Sequence, residues 1–120
     1  MNDLLALIVE DDEDAGIIFS NALHDAGFDT EIIQTGDEAL IRLDNVTPDL
    51  VVLDLELPRV PGVEILRRIR ANVRLTKTHV IIATAFPDMA MGLEDEADLV
   101  LVKPVSFAQL RDLATRLGLA

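Results

Sequence analysis

Four short runs of nearly unbroken apolar residues punctuate the chain: "LLALIV" at 4–9, "DLVVLD" at 49–54, "HVIIATAF" at 79–86 and "DLVLV" at 98–102. Apolar residues at successive rather than alternate positions predict strands buried on both faces. "TEII" at 30–33 is a weaker fifth strand. The segments between them follow a helical period. Residues 15–27 place Ile18, Ala22, Leu23 and Ala26 on one side, with Asp14 as N-cap and Gly27 just past the end. Residues 36–45 turn Ala39, Leu40 and Leu43 inward, and residues 62–72 turn Val63, Leu66 and Ile69 or Arg70 inward. Residues 106–118 carry Phe107, Leu110, Leu113 or Ala114, and Leu117, behind a Ser106/Gln109 capping box. Strand and helix alternate, which predicts an α/β fold: one doubly wound, five-stranded parallel sheet. One interval breaks the rhythm. "PDMAMGLEDEA" offers only eleven residues between Phe86 and Asp98, starts with Pro and contains Gly92. That is short for a crossover helix with two loops, so this fourth helix is expected to be shortened or irregular.

Composition narrows the function. The 120 residues fit a single domain, 1–120, with one core. With no Cys, neither disulfides nor thiolate metal sites arise. No apolar run reaches the length of a membrane span, and "MNDLLALIVEDD" lacks the basic start of a signal peptide. The expected location is cytoplasmic, with no membrane partner. The net charge of −12, from 22 acidic and 10 basic residues, argues against direct nucleic-acid binding.

Charge gathers where chemistry is expected. In open parallel sheets, sites form beyond the carboxyl ends of the strands. Glu10 and Asp11 follow the first strand and Asp54 ends the third; Thr84 stands near the end of the run from 79, and Lys103, then Pro104, follow the last. Converging carboxylates repel and raise one another's pKa, and a hard divalent cation relieves that repulsion. Oxygen ligands without Cys point to Mg²⁺ rather than zinc. Lys and Thr beside it suit the oxygens of a phosphoryl group. The acidic run "EDDED" at 10–14 has two readings, a solvated helix cap or a cation site. The first two acids are assigned to the site, and Asp12, Glu13 and Asp14 to the helix N-terminus.

In order along the chain, "LIVEDD", "PDLVVLDLELPRVPGVEIL", "VIIATA" and "LVKP" resemble the receiver domain of two-component response regulators, over essentially the whole length. The resemblance implies the flavodoxin-like strand order 2-1-3-4-5. It implies that Asp54 is the phosphoacceptor, attacking a phosphohistidine presented by a sensor histidine kinase or a histidine phosphotransfer protein. Glu10, Asp11, Asp54 and the backbone carbonyl of Glu56 would hold Mg²⁺, for which Mn²⁺ could substitute. Thr84 and Lys103 would bind the phosphoryl group, and Lys103–Pro104 would be a cis peptide. Such a domain is a signalling module rather than an enzyme, and it acts on a downstream protein effector.

The chain departs from the family pattern in three ways. Val100 replaces the usual aromatic three residues before the Lys; the segment from Thr84 to Lys103 is short; Pro61 and Val105 replace a small polar residue and Phe. "ATAF" is similar to the segment of a stand-alone receiver subgroup with a degenerate fourth helix, and Phe86 could replace the missing switch aromatic. Two rivals are a pseudo-receiver that binds without phosphorylation and a small-molecule phosphatase. Against the second, the position two after Asp54 is Glu56 rather than Asp, and no cap insertion is visible. His24 and His79 have no partners at ligand spacing. Arg67, Arg68 and Arg70 read as a solvated helix face, and Met89 and Met91 as loop or packing.

Overall fold

Residues 4–117 are described by a computed structural model of the chain. The five apolar runs form one parallel sheet of β1 (Leu4–Val9), β2 (Phe28–Ile33), β3 (Leu50–Leu53), β4 (His79–Thr84) and β5 (Leu99–Val102), in the order β2-β1-β3-β4-β5. The side chains alternate between faces, as a pleated strand requires. Leu7, Val9, Val51, Leu53, Val80 and Ile82 pack on one face against Ala39, Leu43, Ile65, Leu66 and Ile69. Ala6, Ile8, Leu50, Val52, Ile81 and Ala83 pack on the other against Phe19, Ala22, Leu23, Leu110 and Ala114. The continuous apolar runs of the three inner strands therefore serve two cores. β2 begins at Phe28, earlier than "TEII" suggested, because Phe28 is buried directly after Gly27 turns the chain at φ +104°.

Four helices cover the sheet: α1 (Glu13–Asp25), α2 (Gly36–Asn45), α3 (Gly62–Ala71) and α4 (Phe107–Arg116). Four helix readings need correction, one being Phe107 of α4, expected on the inner face but 36% exposed. Asp12, not Asp14, caps α1: its Oδ2 accepts from the Ala15 N–H at 3.0 Å. Phe19, not Ile18, points into the core, and Ile18 remains 44% exposed. In α3, Ile65 is buried where Val63 is only partly so. The Ser106 cap of α4 is present, with Oγ accepting from the Gln109 N–H at 3.1 Å. Gly118, the predicted end of that helix, lies outside the described residues.

The β4–β5 crossover contains no α-helix. A 3-10 turn at Pro87–Ala90 leads into turns, from which Ala90, Leu93 and Ala97 bury their side chains. The half-buried Arg70 straps this segment down. Its guanidinium donates to the carbonyls of Glu96 (2.6 Å) and Thr78 (2.8 Å) and pairs with Asp98 (3.3 Å). Arg70 is thus a structural clamp rather than part of a solvated face. His79 faces the same Asp98 at 3.1 Å. Among the described residues no helix is long and apolar enough to cross a membrane.

Candidate functional site

Sheet hydrogen bonding runs one residue past three strands and fixes the residues just beyond their ends. The Glu10 N–H donates to the Ile33 carbonyl (2.9 Å), the Asp54 N–H to Val9 (3.0 Å) and the Lys103 N–H to Thr84 (2.8 Å). Three side chains thereby converge at the carboxyl edge. Glu10 and Asp54 are buried, at 1% and 5% exposure, and Asp11 is exposed. Each of the three acids offers an oxygen within 4.8 Å of the others. Lys103 Nζ reaches both buried acids, 2.5 Å from Glu10 Oε1 and 3.4 Å from Asp54 Oδ2. The first contact is a close ion pair to a buried carboxylate oxygen. Glu10 Oε2 accepts from the Asp12 N–H (3.2 Å), and Asp54 Oδ1 from the Glu56 N–H (3.0 Å).

Burial dominates the electrostatics. It pushes the Glu10 carboxyl up to about 7, helped by the Asp54 charge and opposed by Lys103 and the Asp12 N–H. For Lys103, burial favours the neutral amine, but Glu10 and Asp54 outweigh it and hold the ammonium above the ordinary lysine range. The site thus carries more negative charge than one lysine balances. Oxygens bound to one Mg²⁺ lie roughly 2.9–4.2 Å apart, given an octahedron of the usual bond length. The three carboxylates, within 4.8 Å of one another, would draw in slightly to bind it, and the all-oxygen donor set fits such an ion.

The remaining predicted residues lie around this centre. Thr84 is fully buried at the end of β4, and its hydroxyl is engaged locally. It accepts from the Phe86 N–H (3.0 Å) and lies 3.3 Å from the Phe86 carbonyl oxygen, with no hydrogen bond to Asp54. Phe86 is 52% exposed, on the surface rather than in the site. Glu56 is exposed, and its amide holds Asp54. The Lys103–Pro104 peptide is cis. Sequence reasoning passed over Gly62. A Cβ there would collide with the Asp54 carbonyl and the Leu55 Cα, so only glycine lets α3 start so close behind the Asp54 backbone. Its place shortly after "DLELPRVP" was the available signal.

The response regulator receiver domain model matches residues 6–115, and the chain belongs to that family. It is 39% identical over 105 residues to the transcriptional regulatory protein TrcR of Mycobacterium tuberculosis, covering 87% of this chain and 41% of that protein. It is 38% identical over 106 residues to the phosphate regulon transcriptional regulatory protein PhoB of Rhizobium meliloti, covering 86% and 47%. Among solved structures, the chemotaxis response regulator CheY4 of Vibrio cholerae superposes with a TM-score of 0.85 at 25% identity, covering 94% of this chain and 97% of that one. The chain spans less than half the length of these two curated relatives.

Proposed function

We propose that residues 1–120 act as one receiver unit that takes a phosphoryl group onto Asp54. The observation that carries this reading is the Asp54 carboxylate. It is 5% exposed, has Lys103 Nζ at 3.4 Å, and shares a 4.8 Å cluster with Glu10 and Asp11. Asp54 Oδ1 is held by the Glu56 amide, which leaves Oδ2, on the Lys103 side, as the attacking oxygen. In the transfer, that oxygen bonds to phosphorus as the P–N bond of a phosphohistidine breaks, and the imidazole leaves with the bond's electron pair and takes up a proton. Glu10, Asp11, Asp54 and the Glu56 carbonyl would hold Mg²⁺, or Mn²⁺ in its place; when bound, the ion neutralises charge on the phosphoryl oxygens. Lys103, within ion-pair reach of both Glu10 and Asp54, supplies a further positive charge. The Thr84 hydroxyl would leave Phe86 to donate to the phosphoryl group.

The donor would be a histidine kinase or a histidine phosphotransfer protein. An apolar groove of about 390 Å³ beside Lys103, lined by Ile18, Phe19, Pro104 and Val105 among others, offers it a seat. The output is a change in contact with an effector protein, not catalytic turnover. The reading is tested with beryllofluoride, a phosphoryl mimic, and Mg²⁺, followed by amide NMR. A slowly exchanging adduct with shifts at residues 54, 84 and 103 is expected, absent in Asp54→Ala and weakened in Asp11→Ala. An unchanged response in Asp11→Ala would sink the cation-site assignment.

A further inference from the structure

Positive charge is scarce in this chain, and much of it gathers in one stretch. From Ile65 to Pro87 there is no Asp or Glu, while Arg67, Arg68, Arg70, Arg74 and Lys77, five of the 10 Lys and Arg residues, fall between positions 67 and 77. α3 starts behind the Asp54 backbone and leads to the parallel strand β4, so its last turns and the loop after it lie at the opposite, amino edge of the sheet. Arg70 turns inward to the Glu96 and Thr78 carbonyls. Arg67, Arg68, Arg74 and Lys77 are exposed, and none pairs with a carboxylate among the described residues. Arg74 is held in place, because its guanidinium donates to the Val46 carbonyl (2.7 Å), the Thr47 hydroxyl (2.6 Å) and the Leu43 carbonyl near the end of α2. Beside it, Val73 is 89% exposed. Cations in the last turn of a helix complement its dipole. That accounts for Arg68 and Arg70, but Arg74 and Lys77 lie beyond the helix.

We propose that this face docks a short acidic segment of another protein, one with an apolar side chain to cover Val73. Carboxylates match the planar, forked donors of arginine. Charge and width select the occupant. Acids bound the face: Glu64 stands one turn before Arg67 and Arg68, Asp44 lines a cleft with Arg68, and Asp95 and Glu96 line a recess with Lys77. A nucleic-acid duplex or an anionic membrane reaches past the arginines and meets these acids, and a second copy sets a net charge of −12 against its like. A short segment carries negative charge only where the cations stand. The docking needs no phosphorylation and lies at the sheet edge away from Asp54, so a failed phosphotransfer and a failed docking are separately visible.

The test titrates the full ¹⁵N-labelled chain with a synthetic peptide of glutamates around one leucine. Amide shifts should cluster at residues 67–77, and affinity should fall between about 20 mM and about 200 mM NaCl. Arg67→Gln/Arg68→Gln should weaken binding at least about fivefold. Arg59→Gln/Arg116→Gln removes the same charge elsewhere and should change it far less. These four side chains are all exposed, and the amide spectrum of each variant verifies its fold. Val73→Ser should weaken the leucine peptide and leave a peptide with serine in its place unaffected. No binding, shifts elsewhere, equal losses from the two arginine pairs, or equal binding of a lysine-for-glutamate peptide would overturn the proposal. Self-association lost in Arg67→Gln/Arg68→Gln would also overturn it and assign the face to a second copy. Larger shifts at the same amides from a DNA duplex or phosphatidylserine vesicles would overturn it in favour of an extended polyanion.

Discussion

At Glu10, burial works against charge. Its carboxyl titrates near 7 in the folded chain, against an ordinary 4.5, chiefly because it is desolvated. Between those values the folded chain holds a proton that the unfolded chain has released, so raising the pH removes stability. Without divalent ions, Glu10→Gln should match wild type near pH 5 and exceed it by about 1–3 kcal/mol near pH 8. Urea unfolding in chelator at the two pH values checks this; a wild type as stable as the variant at the higher pH would contradict it. The positions of Glu10, Asp54 and Lys103 were legible because a parallel sheet brings the carboxyl ends of its strands to one edge. The burial of Glu10 and the exposure of Asp11 were not, since both follow β1 in the same acidic run. Nor was the Thr84 hydroxyl's bond to Phe86, which depends on how the chain leaves β4.

Among the elements, the crossover between β4 and β5 depends most on one side chain. Its eleven residues hold no α-helix, and their backbone hydrogen bonds, such as Leu93 N–H to the Ala90 carbonyl, close local turns, so the Arg70 guanidinium ties the segment to α3. Arg70→Met keeps the stem and removes the donors. It should cost about 2–3 kcal/mol, given charged hydrogen bonds to otherwise unmet carbonyls. It should also speed amide hydrogen exchange at Leu93, Glu96 and Ala97. Unchanged exchange and an unchanged urea midpoint would remove the clamp role. The sequence made the short crossover plain, because length and Pro87 sufficed. It hid the clamp, because a helical wheel shows Arg70 beside Ile69 at the edge of the apolar stripe and says nothing of carbonyls on another loop. Asp12 and Asp14 pose a similar limit: either acid suits an N-cap, and the choice falls to where β1 releases the chain.

For the whole molecule, a net charge of −12 is held within a radius of gyration of 12.7 Å. Self-repulsion at that density lowers stability, and salt screens it. The melting temperature should therefore rise on going from about 10 mM to about 300 mM NaCl, as the screening length shortens. Millimolar Mg²⁺ should raise it further at constant ionic strength, and Asp11→Ala should lose only that second increment. A Mg²⁺ effect that survives in Asp11→Ala would place the ion elsewhere. The sheet order, the two cores and the acidic edge all bear on the proposed phosphorylation of Asp54. Intact mass after incubation with acetyl phosphate tests it most directly, with Mg²⁺ and with chelator, on wild type and Asp54→Ala. A single acid-stable, base-labile phosphoryl adduct on wild type, formed only with Mg²⁺ and absent from Asp54→Ala, is the predicted result. An adduct that persists in Asp54→Ala, or that forms in chelator, would contradict Mg²⁺-dependent phosphorylation of Asp54.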